Sequence, residues 1–354
     1  MRILVTGGAG FVGSSLAVAF KKDFPSATVV VFDNLKRRGS ELNLAVLHKL
    51  GVDFVHGDTR TLEDLSDLSG NFDVLIEASA EPSVRAGLDG SPSYLLHTNL
   101  VGTLNCLAFA RERVGNFVFL STSRVYSIAP LRNIAMGEGP TRFEISARQT
   151  LPGVSPEGIS EQFPTHLPRS LYGATKLASE LLIQEYVDTY HMKAVIDRCG
   201  VIAGPGQFGR VDQGVFTLWV ASHIFRNRLT YTGFGGLGKQ VRDLLHPLDL
   251  YTLIRRQLEL IDEASGGIFN VGGGREISIS LCELTTLCER VVGNSVPLDR
   301  EPRTSPVDVP LYISDYGQAE AVFAWKPARR VREIVEDIAS WIRANEDALR
   351  PILS

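Results

Sequence analysis

The sequence predicts an α/β protein: a Rossmann-type, doubly wound parallel sheet with a smaller C-terminal lobe. Two observations predict it. Short β-rich apolar runs alternate with helix-periodic stretches over the first two-thirds of the 354 residues, as they do in a parallel sheet covered by helices on both faces. Gly7, Gly10 and Gly13 sit between the first such strand and the first helix, where a dinucleotide-binding sheet carries its phosphate loop.

Taken in order, Ile3, Leu4 and Val5 form the first strand, and Phe11, Val12, Leu16, Ala17 and Phe20 recur at helical spacing. Residues 29–32 form a second strand that ends in Asp33. Residues 52–55 precede His56-Gly57-Asp58, and residues 74–78 precede Ser79-Ala80-Glu81-Pro82-Ser83. A helix over 94–113 leads into a strand at 117–120. The stretch 127–170, rich in Pro, Gly and Ser, is predicted to be irregular. A helix over 172–190 and a strand over 193–198 follow. Beyond Gly200 the alternation loosens into glycine-rich turns, with helices expected at 249–263, 280–292 and 331–345. Residues 1–199 are therefore assigned to a cofactor-binding domain that carries the chemistry. Residues 200–354 form mainly a substrate-binding lobe, with some segments returning to the main sheet.

Composition narrows the function. The chain is 44% hydrophobic and 21% charged, with a formal net charge of −4, so no basic field favours nucleic acid. No apolar run approaches the length of a membrane-spanning helix. The start of the chain reads as a strand and a glycine loop rather than a signal peptide. The expected partners therefore include neither nucleic acid nor membrane, and the expected compartment is the cytoplasm. Cys106, Cys199, Cys282 and Cys288 show no CxxC spacing, and Cys106 and Cys199 lie in apolar stretches as core thiols. The scattered histidines form no metal-ligand pattern, so no metal is expected.

The glycine loop has a mechanical reading. Gly7 allows a tight turn, Gly10 lets backbone N–H groups approach a pyrophosphate, and Gly13 lets the helix pack closely on the strand. The helix N-terminus adds unpaired N–H donors and partial positive charge. Asp33 can accept from both ribose hydroxyls, which selects NAD over NADP. Lys36, Arg37 and Arg38 stand nearby and could meet a 2′-phosphate, but the Asp33 charge would repel that phosphate. Downstream, Tyr172 and Lys176 are four apart on a helix and share a face. An ammonium beside a phenol lowers the phenol pKa, so Tyr172 can take a proton from a sugar hydroxyl while hydride leaves the same carbon. Thr122, at the end of the strand before Ser123-Arg124-Val125-Tyr126, supplies a hydroxyl to orient that alcohol.

These motifs together resemble an extended short-chain dehydrogenase/reductase of the NAD-dependent epimerase/dehydratase family. The resemblance covers nearly the whole chain. It runs from Thr6-Gly7-Gly8-Ala9-Gly10-Phe11-Val12-Gly13 and Phe32-Asp33-Asn34-Leu35 through Gly57-Asp58, Asn99-Leu100-Val101-Gly102-Thr103 and Tyr172-Gly173-Ala174-Thr175-Lys176 to Gly238-Lys239-Gln240-Val241-Arg242-Asp243 and Trp325-Lys326-Pro327. It implies that Phe11, Val12, Asn34 and Thr59 line the cofactor, that Asp58 holds the adenine amino group, and that Ala78, Ser79 and Ala80 line the dinucleotide. It places Asn99 near the nicotinamide side and Lys176 on the nicotinamide ribose. It assigns Arg124, Gln207, Gln240, Arg242 and Arg303 to a nucleotide sugar, with Arg242 on its diphosphate.

The family's dehydratases resemble one another in an Asp-Glu pair after the catalytic Thr. Here those positions are Ser123 and Arg124, so a leaving hydroxyl lacks its acid and epimerisation is the simplest expectation. Pro140-Thr141-Arg142-Phe143-Glu144, Gln207-Phe208 and Asp212-Gln213-Gly214 are similar to the branch that inverts C2 of CDP-sugars, which favours CDP as the nucleotide. The chain departs from the family at Val201, Ser127, Glu77, Glu81 and in the spacing from Arg303 to Asp308. A 4-epimerase, a dehydratase or a net oxidoreductase of the same family remain as alternatives, as does a non-catalytic NAD-binding regulator. The resemblance also implies a homodimer, through the helices over 94–113 and 172–190. Leu95, Leu96, Leu100 and Leu104 on the first, and Leu177, Leu181, Leu182 and Val187 on the second, carry apolar character beyond one face.

Overall fold

The structure, a computed structural model, describes residues 1–88, 90–209 and 213–353. Its centre is a seven-stranded sheet, parallel throughout. In chain order the first elements are β1 (Arg2–Thr6), α1 (Phe11–Asp23), β2 (Thr28–Asp33), α2 (Ser40–Lys49), β3 (Asp53–His56), β4 (Phe72–Glu77), α3 (Gly102–Arg113) and β5 (Val114–Thr122). Then come α4 (Leu171–Tyr190), β6 (Lys193–Cys199), α5 (Val215–Phe225), β7 (Val241–Leu245), α6 (Pro247–Glu259), β8 (Ile268–Val271), α7 (Leu281–Val292) and α8 (Val331–Ala344). The strand order across the main sheet is β8-β6-β5-β4-β1-β2-β3.

The inner strands are apolar without alternation because both of their faces are covered. Ile3, Leu4 and Val5 are fully buried. Ile3 and Val5 face a core that includes Leu16, Phe20, Leu250 and Ile254, while Leu4 faces the opposite core with Leu107, Phe117 and Ile183. Each such side chain removed from water contributes roughly 1.5–3 kcal/mol. α4 starts where Ser170 Oγ accepts the Gly173 N–H at 3.1 Å, an N-cap. α7 starts on a capping box between Ser280 and Glu283 and ends at Gly293, whose φ is +85°.

β8 pairs with β6, so a segment beyond Gly200 does enter the main sheet. The other late strands build a four-stranded sheet around β7, with Val201–Ile202, Ser278–Ser280 and Leu311–Tyr312. α5, α7 and α8 pack behind it around Phe216, Leu284 and Ile338.

The expected helix over 94–113 is interrupted. A short α-turn (Ser93–Leu96) passes into a π-helical turn (His97–Val101) before α3 begins. The extra residue of a π-turn turns Thr98 and Asn99 inward, and both are buried. The stretch 127–170 is less irregular than predicted. It holds a short helix (Ile128–Arg132) and two small antiparallel pairs, Met136–Glu138 with Phe143–Ile145 and Val154–Ser155 with Gly158–Ile159. α5 carries no period-3.6 signal because it is buried on nearly every side, from Phe216 through Trp219 to His223.

Candidate active site and cofactor cradle

The carboxyl ends of β1, β2, β4, β5 and β6 open onto two adjoining cavities of about 340 and 930 Å³. Ligands of open α/β sheets gather at this edge. The smaller cavity is lined by Gly7, Gly10, Asp33, Asn34, Thr59, Ser79 and Glu81, and the larger by Phe11, Val12, Thr122, Arg124, Tyr172 and Lys176. Ala78 and Ala80 belong to both.

The smaller cavity fits a dinucleotide. Gly7 has φ +65°, and a Cβ there would stand 2.7 Å from the Ser79 backbone. Gly13 does not line the cavity; a Cβ on it would collide with the Gly7 carbonyl, so it serves the helix–strand contact. No side chain caps the N-terminus of α1, which leaves its first-turn donors for an anion. Asp33 accepts from Ala9 N at 3.1 Å and Leu35 N at 2.8 Å. Burial pushes its pKa up, and those N–H groups pull it back. Of the basic residues beside it, Lys36 and Arg37 also line this cavity; Arg37 donates to the Phe208 carbonyl and Arg38 to that of Pro351, while Lys36 lies 5.8 Å from the Tyr94 ring.

Two residues expected at the cofactor are held by contacts within the protein. Asp58 does not line the cavity. Arg60 pairs with it at 2.5 Å and Asn34 Nδ2 donates to it at 2.9 Å, which against its partial burial hold its carboxyl down at about 2. Asn99 is fully buried: its Oδ1 accepts from Glu81 N at 2.7 Å and its Nδ2 donates to Glu81 O at 3.0 Å. Its side chain clamps the loop after β4. The π-turn aims it there, a feature with no sequence periodicity to announce it.

Thr122, Tyr172 and Lys176 meet on one wall of the larger cavity. Thr122 ends β5, where its register partner is Cys199 of β6. Tyr172 and Lys176 come from the first turns of α4, which approaches so closely that a Cβ on Gly173 would strike the Arg124 carbonyl. Burial pushes the Tyr172 phenol up to about 12, while the Thr122 hydroxyl and the Arg124 guanidinium act to lower it. Lys176 is buried, its pKa lowered by that burial, and its Nζ stands 4.2 Å from the Phe119 ring centroid.

Of the expected substrate residues, Arg124, Gln207, Gln240 and Arg242 line the larger cavity. Arg124 Nη1 reaches the Val307 carbonyl at 3.4 Å. Gln207 and Gln240 are tied to the lobe itself: Gln207 donates to Ile202 O and accepts from Thr217, and Gln240 donates to Thr232 O. Arg242 is clamped by Asp308 at 2.8 Å and by the Val309 and Val241 carbonyls, and burial brings its pKa down to about 10. Arg303 is exposed and outside the cavity lining; it follows the end of the short ladder at Glu301, while Ser305, Val307 and Asp308 line the cavity. Asp212 lies outside the described residues.

The sequence reading missed the layer below the site. Arg198 and Glu180 form a buried ion pair at 2.7 Å. Ser121 Oγ donates to Glu180, Arg198 Nη1 reaches the Tyr126 hydroxyl, and that hydroxyl donates to Asn270 at 2.7 Å. Charged residues inside otherwise apolar elements were the available signal.

The profile of the NAD dependent epimerase/dehydratase family matches residues 3–272. The chain belongs to this family. Its cofactor is NAD, and the glycine cradle with Asp33 fits that group. The chain is similar to the CDP-paratose 2-epimerase of Salmonella typhi, at 29% identity over 96% of this chain and 99% of that protein. It is also 28% identical to the dTDP-glucose 4,6-dehydratase of Streptomyces niveus, over 100% of this chain and 96% of the other. A solved UDP-glucuronic acid 4-epimerase from Bacillus cereus, in complex with UDP-glucuronic acid and NAD, shares the fold with a TM-score of 0.78 at 23% identity, covering 97% of this chain and 99% of that one. Among the described residues no group of His, Cys, Asp and Glu is placed to hold a metal, and no helix is long and apolar enough to cross a membrane.

Proposed function

We propose that this protein is a nucleotide-sugar epimerase that inverts a sugar carbon through a transient keto-sugar, with C2 of a CDP-sugar the favoured substrate position. One observation carries the reading. Thr122, Tyr172 and Lys176 stand on a shared wall beside the cofactor cradle, and Asp308, held by Arg242, is the one carboxylate among the described residues of the larger cavity lining. An elimination needs an acid to protonate the departing hydroxyl, and this wall presents Ser123 and Arg124 in its place. The similarity to CDP-paratose 2-epimerase supports the carbon and the nucleotide.

Bound NAD supplies a reversible hydride acceptor. Thr122 would hold the sugar hydroxyl, and Tyr172 would take its proton and return it after the other face is presented. Lys176 would hold the nicotinamide ribose and keep positive charge near the phenol. Gly7, Gly10, Phe11 and Val12 would cradle the pyrophosphate, with Gly13 keeping α1 close to β1 and Asp33 on the adenosine ribose.

Because the cofactor is regenerated each turnover it should stay bound, and because Asp33 repels a 2′-phosphate, NAD rather than NADP should be released when the purified protein is denatured in acid. Turnover in D₂O should leave the inverted carbon free of solvent deuterium. Stoichiometric deuterium there would indicate deprotonation beside a carbonyl and reject the redox route.

Arg242 would grip the substrate diphosphate, since a guanidinium can make paired hydrogen bonds that an ammonium cannot. Arg242→Lys is expected to weaken nucleotide-sugar binding by about tenfold to a hundredfold, the loss of a charge-assisted bond, with NAD content unchanged. Calorimetric titration with the nucleoside diphosphate checks it; an unaltered affinity removes Arg242 from the substrate site.

A homodimer through α3 and α4 is part of the proposal. Leu104 and Leu181 are 37% and 57% exposed on these helices, whereas Leu95 is buried and Leu182 and Val187 pack on the chain's own core.

A further inference from the structure

We propose that Glu77 is a positioning residue for Lys176: its buried carboxylate is the counter-ion that keeps the Lys176 ammonium charged beneath the cofactor site. The role rests on the reading of Lys176 given above.

The geometry begins with strand register. Glu77 is the last residue of β4, and its partner across the ladder on β5 is Phe119. Register partners on neighbouring parallel strands lie about 4.8 Å apart and send their side chains from the same face. The Lys176 ammonium stands over the Phe119 ring, so the carboxylate and the ammonium occupy one buried layer between the sheet and α4. Glu77 is 0% and Lys176 2% exposed. A buried ammonium loses its proton unless a charge compensates for the lost hydration. The ring face offers part of that compensation, and Glu77 supplies the opposite charge.

The carboxylate is held, but only on one side. Thr103 Oγ1 lies 2.6 Å from Glu77 Oε1, while Oε2 has no hydrogen-bond partner among the described residues. A buried carboxylate with no opposite charge beside it is costly and tends to take up a proton, so a cation in the same layer stabilises its anionic form. The other groups around the pair are accounted for. Glu180, on α4, is bound by Arg198 and Ser121. Cys106 on α3 and Cys199 on β6 are kept as thiols by burial, which pushes both well above the ordinary thiol range. That leaves Glu77 as the anion available to Lys176 from the facing strands.

The sign follows. Burial raises the Glu77 carboxyl to about 7, against the pull of Lys176 and Thr103. Above that pH Glu77 is an anion, and its charge opposes the lowering that burial imposes on Lys176. Removing the anion should lower the Lys176 pKa further and carry the alkaline limb of activity with it.

The test compares the wild type with Glu77→Gln and Glu77→Asp, each as the purified NAD-loaded protein. With lysine labelled by ¹³C at Cε, the chemical shift of Lys176, assigned by its loss in Lys176→Met, reports ammonium or amine without any substrate. The Glu77→Gln midpoint is expected to fall by about one to two pH units, the scale of a nearby opposite charge, and Glu77→Asp by a smaller amount in the same direction. Activity measured alongside should show a wild-type to Glu77→Gln rate ratio that grows from about pH 6.5 to about pH 9. An unchanged Lys176 midpoint in folded Glu77→Gln overturns the proposal. If that variant does not fold, an unchanged midpoint in Glu77→Asp overturns it instead. Because the titration needs no turnover, a failed epimerase assignment leaves this result readable, and a failed counter-ion role leaves the deuterium test intact.

Discussion

Tyr172→Phe is expected to lower the rate of hydride transfer by roughly two to four orders of magnitude, the usual contribution of a positioned acid–base group. The ring remains, so the wall between α4 and β5 keeps its packing, and only the hydroxyl that meets Thr122 is lost. NAD content and thermal stability should stay near wild type. Single-turnover reduction of the bound cofactor by a nucleotide sugar isolates the step. Retention of more than about a tenth of the rate would mean that another group moves the proton. Tyr172 cannot ionise readily on its own, since burial holds it near 12. The Thr122 hydroxyl and the Arg124 guanidinium, both in the cavity lining, work against that burial.

The second large effect concerns stability. Glu180→Ala should cost about 3–5 kcal/mol, because it leaves the Arg198 guanidinium buried without its anion. The Arg198 side chain is 7% exposed and that of Glu180 1%, so water cannot replace the lost partner. Burial works against the Arg198 charge, and the hydrogen bond and charge of Glu180 more than offset it. The damage should spread, since Ser121 donates to the same carboxylate and precedes Thr122, the proposed partner of the substrate hydroxyl. Equilibrium unfolding in urea measures the loss. Replacing both partners, Glu180→Leu with Arg198→Met, should recover most of it, because no charge is then left unpaired. If the single variant unfolds at the wild-type midpoint, the pair contributes nothing and the core tolerates a lone guanidinium.

Sequence by itself determined the parts of this protein governed by local rules. Gly7 and Gly13 are readable because a turn and a packed crossing forbid a Cβ, Gly10 through its place in the glycine spacing, and Asp33 because a strand end fixes where its side chain emerges. Tyr172 and Lys176 share a helix face through spacing alone. The apolar runs of β1, β2 and β5 announce a sheet buried on both faces. Tertiary structure decided everything that depends on partners distant in the chain. Asn99 matches a family motif, yet a π-turn gives its amide to the Glu81 backbone. Asp58 is bound by Arg60 and Asn34, and Arg303 is exposed beyond the end of its strand, contacts and exposure that no local pattern encodes. Glu77 reads in sequence as a family departure. Strand register beside Phe119 is what sets its charge next to Lys176, because pairing across a parallel sheet joins residues whose separation along the chain carries no periodic signal.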